Sequence, residues 1–584
     1  MKKMISDHLD LWTNAIKRKP GSARGSSSKV EFYGVKKLRA LIQELAIRGL
    51  LVPQDPRDEP ASELLRKISV EKASLIKEGK LKKEKPLPQI SDVEKPFRLP
   101  AGWSWCRLTD IAFPQAGFAF KSNAFNEADE GLPLIRIRDV GQPFSGTYYN
   151  GSYREEFLVR NGDYLISMDG NFRVAPWKGP DALLNQRVSR LLFHGKNSAQ
   201  RFVAEALQLR LLALQGIKAY TTVDHLSGGQ IAESVIAFPP LAEQHRIVDR
   251  VDELMRLCDQ LEQQSETSLG THQTLVDALL GALANATDHL QFASAWRCIS
   301  EHFDSLFSNE DSIDRLMHAV LQLAVMGKLV PQDSSDEPAF KVYAKALELP
   351  VGYTRSNKQK IKNDGAIVKA RLPPLPTSWT HRTVDQLYLS KHLLDYEDGN
   401  HGSLYPRATD FAEEGVIFLT AAQIADDGRI AWDDCQRLSS EYAEKLSKGW
   451  SQRGDVYFTH NATVGKTAIA TDPPEKDFLL GTSVTLYRIN GSCIDSRYLY
   501  FFFSSPAWYQ QAAAVMQQTT RNQVSITKQA LFTIVLPPPA EQRRIAAKVD
   551  ELFAICRELR LRLSDSRTIL LHAADAITEK ALEA

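Results

Sequence analysis

Apolar residues at Ile247, Val251, Leu254, Cys258 and Leu261 step by four, three, four and three along the chain. The same steps recur at Ile545, Val549, Leu552, Cys556 and Leu559. A stripe of that period is the narrow seam of a two-stranded coiled coil, not the wider face that a helix lays on a globular core. Both stripes open on matching stretches, Pro239-Pro240-Leu241-Ala242-Glu243-Gln244-His245-Arg246 and Pro537-Pro538-Pro539-Ala540-Glu541-Gln542-Arg543-Arg544. Proline ends the element before it and is tolerated in a first helical turn, so each stretch predicts a strand or loop followed at once by a helix. The first such helix, from Leu241 to about Ala284, would be roughly 65 Å long at ~1.5 Å per residue. Each copy can serve as the other's partner.

Helical periodicity also repeats upstream. Leu38, Ile42 and Leu45 in one half, and Leu316, Val320 and Leu323 in the other, mark a helix stopped by Gly49 or Gly327, with Pro53 or Pro331 just beyond. Ile5-Ser6-Asp7-His8 returns as Ile299-Ser300-Glu301-His302, so the duplication begins at the N-terminus. Pro20 to Ser28 is a flexible loop by composition and has no counterpart in the second half. Lysine-rich stretches follow, with Lys77, Lys80, Lys82, Lys83 and Lys85 in one copy and Lys358, Lys360, Lys362 and Lys369 in the other. They read as solvated linkers, with contact to a DNA backbone as the alternative. Each closes on Leu-Pro-x-x-Trp, ending at Trp103 and Trp379.

Between those tryptophans and the distal prolines lie two globules of mixed character. Apolar runs predict strands at Pro133 to Val140, Tyr164 to Ser167, Val416 to Thr420, Val456 to Thr459 and Ser483 to Arg488, and helices at Arg201 to Gln215 and Ser496 to Met516. The ends of the globules match, Thr221-Thr222 with Thr519-Thr520 and Leu226-Ser227 with Val524-Ser525, whereas their interiors hardly align. The predicted division is a proximal helical region 1–60, a basic linker 61–95, a first globule 96–238, a central helix 239–290, a second proximal region 291–339, a linker 340–371, a second globule 372–536 and a C-terminal helix 537–584.

At 584 residues the chain is long enough for about four structural units. Its 43% hydrophobic and 24% charged content are those of a soluble globular protein. No apolar run approaches a membrane span and the N-terminus lacks a signal-peptide core, so a cytoplasmic location is expected. Six scattered cysteines, with no CxxC and no Cys/His pairing, indicate neither a zinc site nor a disulfide framework. A net charge of +1 leaves a nucleic-acid partner open, since its basic residues would then have to be concentrated on one face.

Over essentially its whole length, the twice-used set of proximal helix, globule, Pro-Pro-x-Ala-Glu-Gln and heptad helix resembles the specificity subunit of Type I restriction-modification enzymes, in its longer-chained subfamily. The resemblance implies an α+β protein: two mixed α/β target recognition domains, held apart by two long helices in an antiparallel coiled coil, with a pseudo-twofold internal repeat. It also implies double-stranded DNA as ligand, two adenine-N6 methyltransferase subunits and two restriction subunits as partners, and no catalysis or cofactor on this chain. S-adenosylmethionine, ATP and Mg2+ would belong to those partners.

Base edges are read by Arg, Lys, Asn and Gln, and phosphates by basic and small polar groups. The candidates in the first globule are Arg136 and Arg138, which alternate with Ile135 and Ile137 as on one strand face, then Asn171 and Arg173, then Asn185, Gln186 and Arg187, then Thr222 and His225. In the second they are Thr420 and Gln423, then His460, Asn461 and Lys466, then Thr482 and Ser483, then Arg521, Asn522 and Gln523. Two catalytic look-alikes fail. Asp472-Pro473-Pro474-Glu475 has Glu475 where an amino-methyltransferase motif needs an aromatic, and His460 stands where the phosphate-loop pattern ending Gly465-Lys466-Thr467 needs its first glycine. No metal site is indicated. A protein-binding coiled-coil scaffold and an enzyme with a fused methyltransferase or nuclease domain are the competing readings.

Overall fold

The structure is a computed structural model that describes residues 2–19, 29–81, 86–195, 199–217, 226–349, 374–400, 405–516 and 523–583. The chain divides into two compact units, the first comprising residues 1–268 and 566–584, the second 269–565. No helix among the described residues is long and apolar enough to cross a membrane.

The first unit opens with a short ribbon, β1 (Lys17–Lys19) and β2 (Lys29–Glu31), on either side of the predicted loop. Helix α1 (Tyr33–Ile47) buries Leu38, Leu41, Ile42 and Leu45 on one face. It ends at Gly49, whose φ of 71° is the left-handed conformation glycine adopts without strain. A Cβ there would also meet the Pro100 ring at 2.6 Å. The following stretch, expected as a linker, begins instead with α2 (Ala61–Lys77). Its buried stripe is only Ala61, Leu64 and Ile68, too narrow to stand out among the charges. Lys82, Lys83 and Lys85 lie outside the described residues.

The globule is closed by β3 (Ser104–Arg107), which pairs antiparallel with β13 (Val235–Phe238), so its first and last strands are zipped together. Within it a four-stranded antiparallel sheet has the order β10 (Val174–Pro176), β9 (Tyr164–Ser167), β12 (Val188–Phe193), β4 (Ala112–Ala116). A five-stranded sheet runs β5 (Phe125–Asn126), β7 (Tyr148–Tyr149), β6 (Leu132–Ile135), β11 (Ala182–Leu184), β8 (Leu158–Val159), with β6 and β11 parallel. Alternation along β9 splits the core: Leu165 joins Ile135, Leu184 and Val188 in one apolar cluster, while Ile166 joins Phe202 and Val203 of α3 (Gln200–Ile217) in another.

The second unit repeats this plan on a different sequence. Strand β14 (Thr380–Thr383) zips with β24 (Thr533–Leu536). The four-stranded sheet is β21 (Thr467–Ile469), β20 (Val456–Thr459), β23 (Val484–Ile489), β15 (Leu393–Asp398). The five-stranded one is β16 (Phe411–Ala412), β18 (Gln436–Leu438), β17 (Val416–Leu419), β22 (Asp477–Leu480), β19 (Trp450–Gln452), with β17 and β22 its parallel pair. Strand for strand the topologies are the same, which the unaligned interiors did not reveal.

The long helices are α4 (Leu241–Asn285) and α8 (Pro539–Glu583), each 45 residues. In the first unit Ile247, Val251, Leu254 and Cys258 are buried, with half-buried Leu261 packed on them. They share a core with Leu38, Ile42 and Leu45 of α1 and with Ala574 of α8. Helix α1 touches both long helices, Arg39 meeting Asp259 and Glu262 while Lys37 and Tyr33 meet Asp575. In the second unit Ile545 and Val549 are buried in the globule's core and Leu552 packs on it. Cys556 and Leu559 pack with Val276, Leu280 and Leu283 of α4 and with Ile313 and Leu323 of α5 (Glu310–Val325). The predicted two-stranded seam is thus met in each unit by a third, proximal helix. Burial pushes the Cys258 and Cys556 thiols up to about 11, leaving them as small hydrophobes.

The duplicated Pro-Pro-x-Ala-Glu-Gln stretch is a fastening. Glu243, 1% exposed, accepts the Trp103 indole N–H at 3.0 Å and the Gln54 amide at 3.1 Å. Glu541, also 1% exposed, accepts from Trp379 at 2.9 Å and Gln332 at 2.6 Å. Gln244 and Gln542 each donate to the proline carbonyl five residues back, at 2.8 and 2.9 Å. Each also accepts the backbone N–H of Ala199 or Asp495. Arg246–Asp58 and Arg544–Asp336 ion pairs, both 2.6 Å, complete the two copies. Burial raises both glutamate carboxyls above their ordinary range.

Candidate nucleic-acid interface

A parallel strand pair ends with both C-termini on the same side. Because Leu184 is in register with Ile135 at the end of β11 and β6, the next residues, Asn185 and Arg136, emerge side by side. In the second globule Leu480 pairs with Leu419, and the next residues are Gly481 and Thr420. The short β11–β12 and β22–β23 connections, Asn185-Gln186-Arg187 and Gly481-Thr482-Ser483, therefore occupy one topological position. The β9–β10 and β20–β21 hairpins join them: Met168 N–H donates to Arg187 O at 3.1 Å, and its counterpart His460 N–H donates to Ser483 O at 3.0 Å. The segment after the globule's helices is stitched to the same hairpins, Leu226 N–H to Met168 O at 2.7 Å and Val524 N–H to His460 O at 2.9 Å. Thus each globule gathers the loops that carry its candidates at one end of its sheets. Thr222, His225, Arg521 and Asn522 lie outside the described residues. Gln523 is described and pairs with Asn461 in an isolated bridge.

The side chains gathered there fall into two sets. Several are occupied in holding the loops. Strand β6 stops at Ile135 and residues 137–139 form a 3-10 turn, because the buried Asp139 carboxylate accepts the Arg136 and Ser145 N–H groups, both at 2.8 Å. Arg136 and Arg138 accordingly do not share a strand face, and Arg138 donates to Ser145 and Thr147. Thr420 and Gln423 cap one another at 2.7 Å. His460 is 2% exposed, its Nδ1 2.9 Å from the Thr485 hydroxyl, so burial removes it from the surface expected of a base reader. Lys466 donates to Ile424 O at 2.8 Å and pairs with Asp426 at 3.1 Å. Ser483 accepts the Ala421 N–H, and Arg187 pairs with Asp169 at 3.3 Å.

The second set points outward. Gln186 and Asn171 are exposed, and Arg173 and Thr482 are half-buried. Arg173 and Lys466 are equivalent, each being the residue before the second strand of its hairpin.

The rejected catalytic motifs have plain structural roles. Glu475 pairs with Arg437 beside the Gly415 carbonyl. Residues 460–466 turn from one strand into another, with Ala462 at φ 60° and Gly465 at φ 109°, whereas a phosphate loop leads into a helix. No group of three His, Cys, Asp or Glu that could hold a metal occurs among the described residues.

The sequence reading missed one participating loop. Gly117 follows β4, and a Cβ there would lie 2.1 Å from Asn185 O; Gly399 follows β15 and would meet Gly481 O at the same 2.1 Å. A glycine after a short strand in each half was the available signal, though Asp395, Glu397 and Asp398 keep the second strand from reading as an apolar run.

Residues 100–270 and 405–564 match the family described as Type I restriction modification DNA specificity domain. The Type I restriction enzyme EcoAI specificity subunit of Escherichia coli is 34% identical, with 100% of both chains covered. The EcoEI specificity subunit of the same organism is 31% identical, again over 100% of each. Among solved structures, the HsdS subunit from Thermoanaerobacter tengcongensis covers 83% of this chain and 98% of its own, at 17% identity and a TM-score of 0.36.

Proposed function

The chain belongs to the family of Type I restriction-modification specificity subunits, and on that premise we propose that its two globules read the two halves of a bipartite, asymmetric DNA site. The long helices, paired antiparallel as a coiled coil with pseudo-twofold symmetry, set the gap between half-sites. That gap brings them about one DNA turn, ~34 Å, apart so that both lie on one face of the duplex. The chain directs adenine-N6 methylation by two methyltransferase subunits and ATP-dependent cleavage by two restriction subunits. S-adenosylmethionine, ATP and Mg2+ are bound by those partners.

The observation that carries this reading is a shared scaffold with unlike readers. The same two sheets gather the same loops, yet one globule presents Asn185-Gln186-Arg187 where the other presents Gly481-Thr482-Ser483. The test is methylome sequencing of cells that express the chain with and without its methyltransferase partner. A split adenine-methylated motif that appears only with both supports the reading, and its absence refutes it. The scaffold alternative predicts no retention on DNA at any salt concentration.

Two substitutions separate base reading from phosphate contact. Asn185→Ala together with Gln186→Ala should cost ~1–3 kcal/mol per lost base contact and relax one or two positions of the first half-site only, read as motif degeneracy in the methylome. Arg173→Ala should weaken binding to all sequences alike and lower the slope of log K against log salt by about one, measured by titration at several salt concentrations.

A further inference from the structure

Beside the Asn185 loop the first globule carries a group that hydrogen-bond readout does not use. Phe118 is 38% exposed, and its N–H donates to Leu184 O at 2.9 Å, which sets it in parallel pairing with Asn185. The approach is possible because residue 117 has no side chain, as its close contact with the Asn185 carbonyl requires. The ring is braced by Phe120, edge-on at 5.2 Å, and by Phe157, tilted at 5.2 Å. The Arg154 guanidinium lies 5.1 Å from its centroid, and that arginine side chain is 65% exposed. In the second globule the residue at this position is Asn400, 4% exposed, its amide donating to Lys448 O at 2.8 Å. One globule thus shows an aromatic ring to solvent where the equivalent residue of its counterpart is a buried asparagine.

We infer that Phe118 is a specificity-determining residue that recognises a thymine C5-methyl group in the first half-site, a refinement that rests on the function proposed above. Among the base-edge groups of the major groove only that methyl is apolar, so it is the feature a hydrocarbon ring can select. A wedge inserted between base pairs is disfavoured, since insertion needs free faces and this ring is flanked by Phe120, Phe157 and Arg154. Arg154, at the rim, pairs with Glu156 at 3.0 Å and packs on the Phe118 and Phe157 rings, which holds this aromatic group in place.

The test uses the complex of this chain with its methyltransferase subunits and duplexes carrying its methylome-defined site. Each thymine of the first half-site is replaced singly by deoxyuridine, which removes only the methyl group. One replacement should weaken binding by the wild-type complex about fourfold, the size expected for one lost buried methyl. Phe118→Ala should bind thymine and uracil equally at that position, while Phe118→Leu keeps the preference. Replacements in the second half-site should affect wild type and variants alike, which also controls for folding. Insensitivity of the wild type at every thymine of the first half-site, or a preference retained in Phe118→Ala, would overturn the inference. Loss of split-site binding by the wild-type complex itself would instead overturn the function on which it rests.

Discussion

Trp379→Ala is expected to destabilise the second unit by about 3–5 kcal/mol, the range for emptying a buried aromatic site. The indole is 5% exposed, packs over Gly327, and donates to Glu541 at 2.9 Å. Truncation opens a cavity and deprives a buried carboxylate of one of its donors. Trp379→Phe separates the two effects, because it restores most of the volume but not the N–H. Burial already raises the Glu541 carboxyl, so the folded state holds that proton more tightly than the unfolded chain does. Stability from a raised carboxyl is fully present below the unfolded value and declines as pH rises through the folded one. The phenylalanine variant should therefore lose more relative to wild type at about pH 8 than at about pH 5. Urea denaturation followed by circular dichroism at both pH values reads the difference. A phenylalanine variant as stable as wild type at both pH values would show that the hydrogen bond contributes little, and equal penalties for the two variants would show that the lost volume does.

The second large effect is expected inside the other layer of the same unit. Asp455 is 1% exposed and receives Arg488 in bidentate fashion, Nε at 2.9 Å and the terminal nitrogen at 2.6 Å, together with the Ser451 hydroxyl and the Gln452 N–H. Arg488→Ala strands that charge and should cost about 3–5 kcal/mol, whereas adding Asp455→Asn should return part of the loss. A double-mutant cycle in denaturant measures the coupling, and additivity of the two substitutions would refute it. The first globule builds the corresponding turn with Asp163, which accepts the Arg160 N–H at 2.9 Å. Its arginine, Arg190, comes from a different point along the equivalent strand, 3.1 Å away. The carboxylate is kept in both copies while its partner is supplied from two places, so a residue-by-residue alignment cannot match this pair.

That contrast also says what was readable in the sequence. Strands Tyr164–Ser167 and Val456–Thr459 and the start of α4 at Leu241 stand where periodicity and proline put them. The two strands are buried on both faces and so read as short continuous apolar runs, while α4 buries a stripe behind its prolines, so the pattern is written in the residues themselves. The helix expected from Ser496 to Met516 is two, α6 (Ser496–Phe503) and α7 (Pro506–Met516), because Pro506 lacks the N–H needed to continue and starts a new first turn. The shared topology was illegible because it rests on backbone pairing, which many apolar sequences satisfy. The candidate interface was legible as a set of loops but not side chain by side chain. His460 and Arg138 have the chemistry of readers, yet hydrogen bonds to Thr485, Ser145 and Thr147 commit them to shaping the loops. No spacing rule distinguishes an arginine facing outward from one tied to a neighbouring turn.

The fastening at the foot of each long helix has a mechanical corollary. In the first unit the proximal loop through Gln54, the globule through Trp103 and the first helical turn through Glu243 converge on a single carboxylate. The zipped strands β3 and β13 continue from the same junction, Ser104 following Trp103 and pairing with Phe238 just before Pro239. Two attachments at one junction resist swivelling of the helix against the globule. Twisting α4 about its own axis would carry the bundle of loops with it as one lever, turning torsion of the rod directly into the angle at which those loops face a groove.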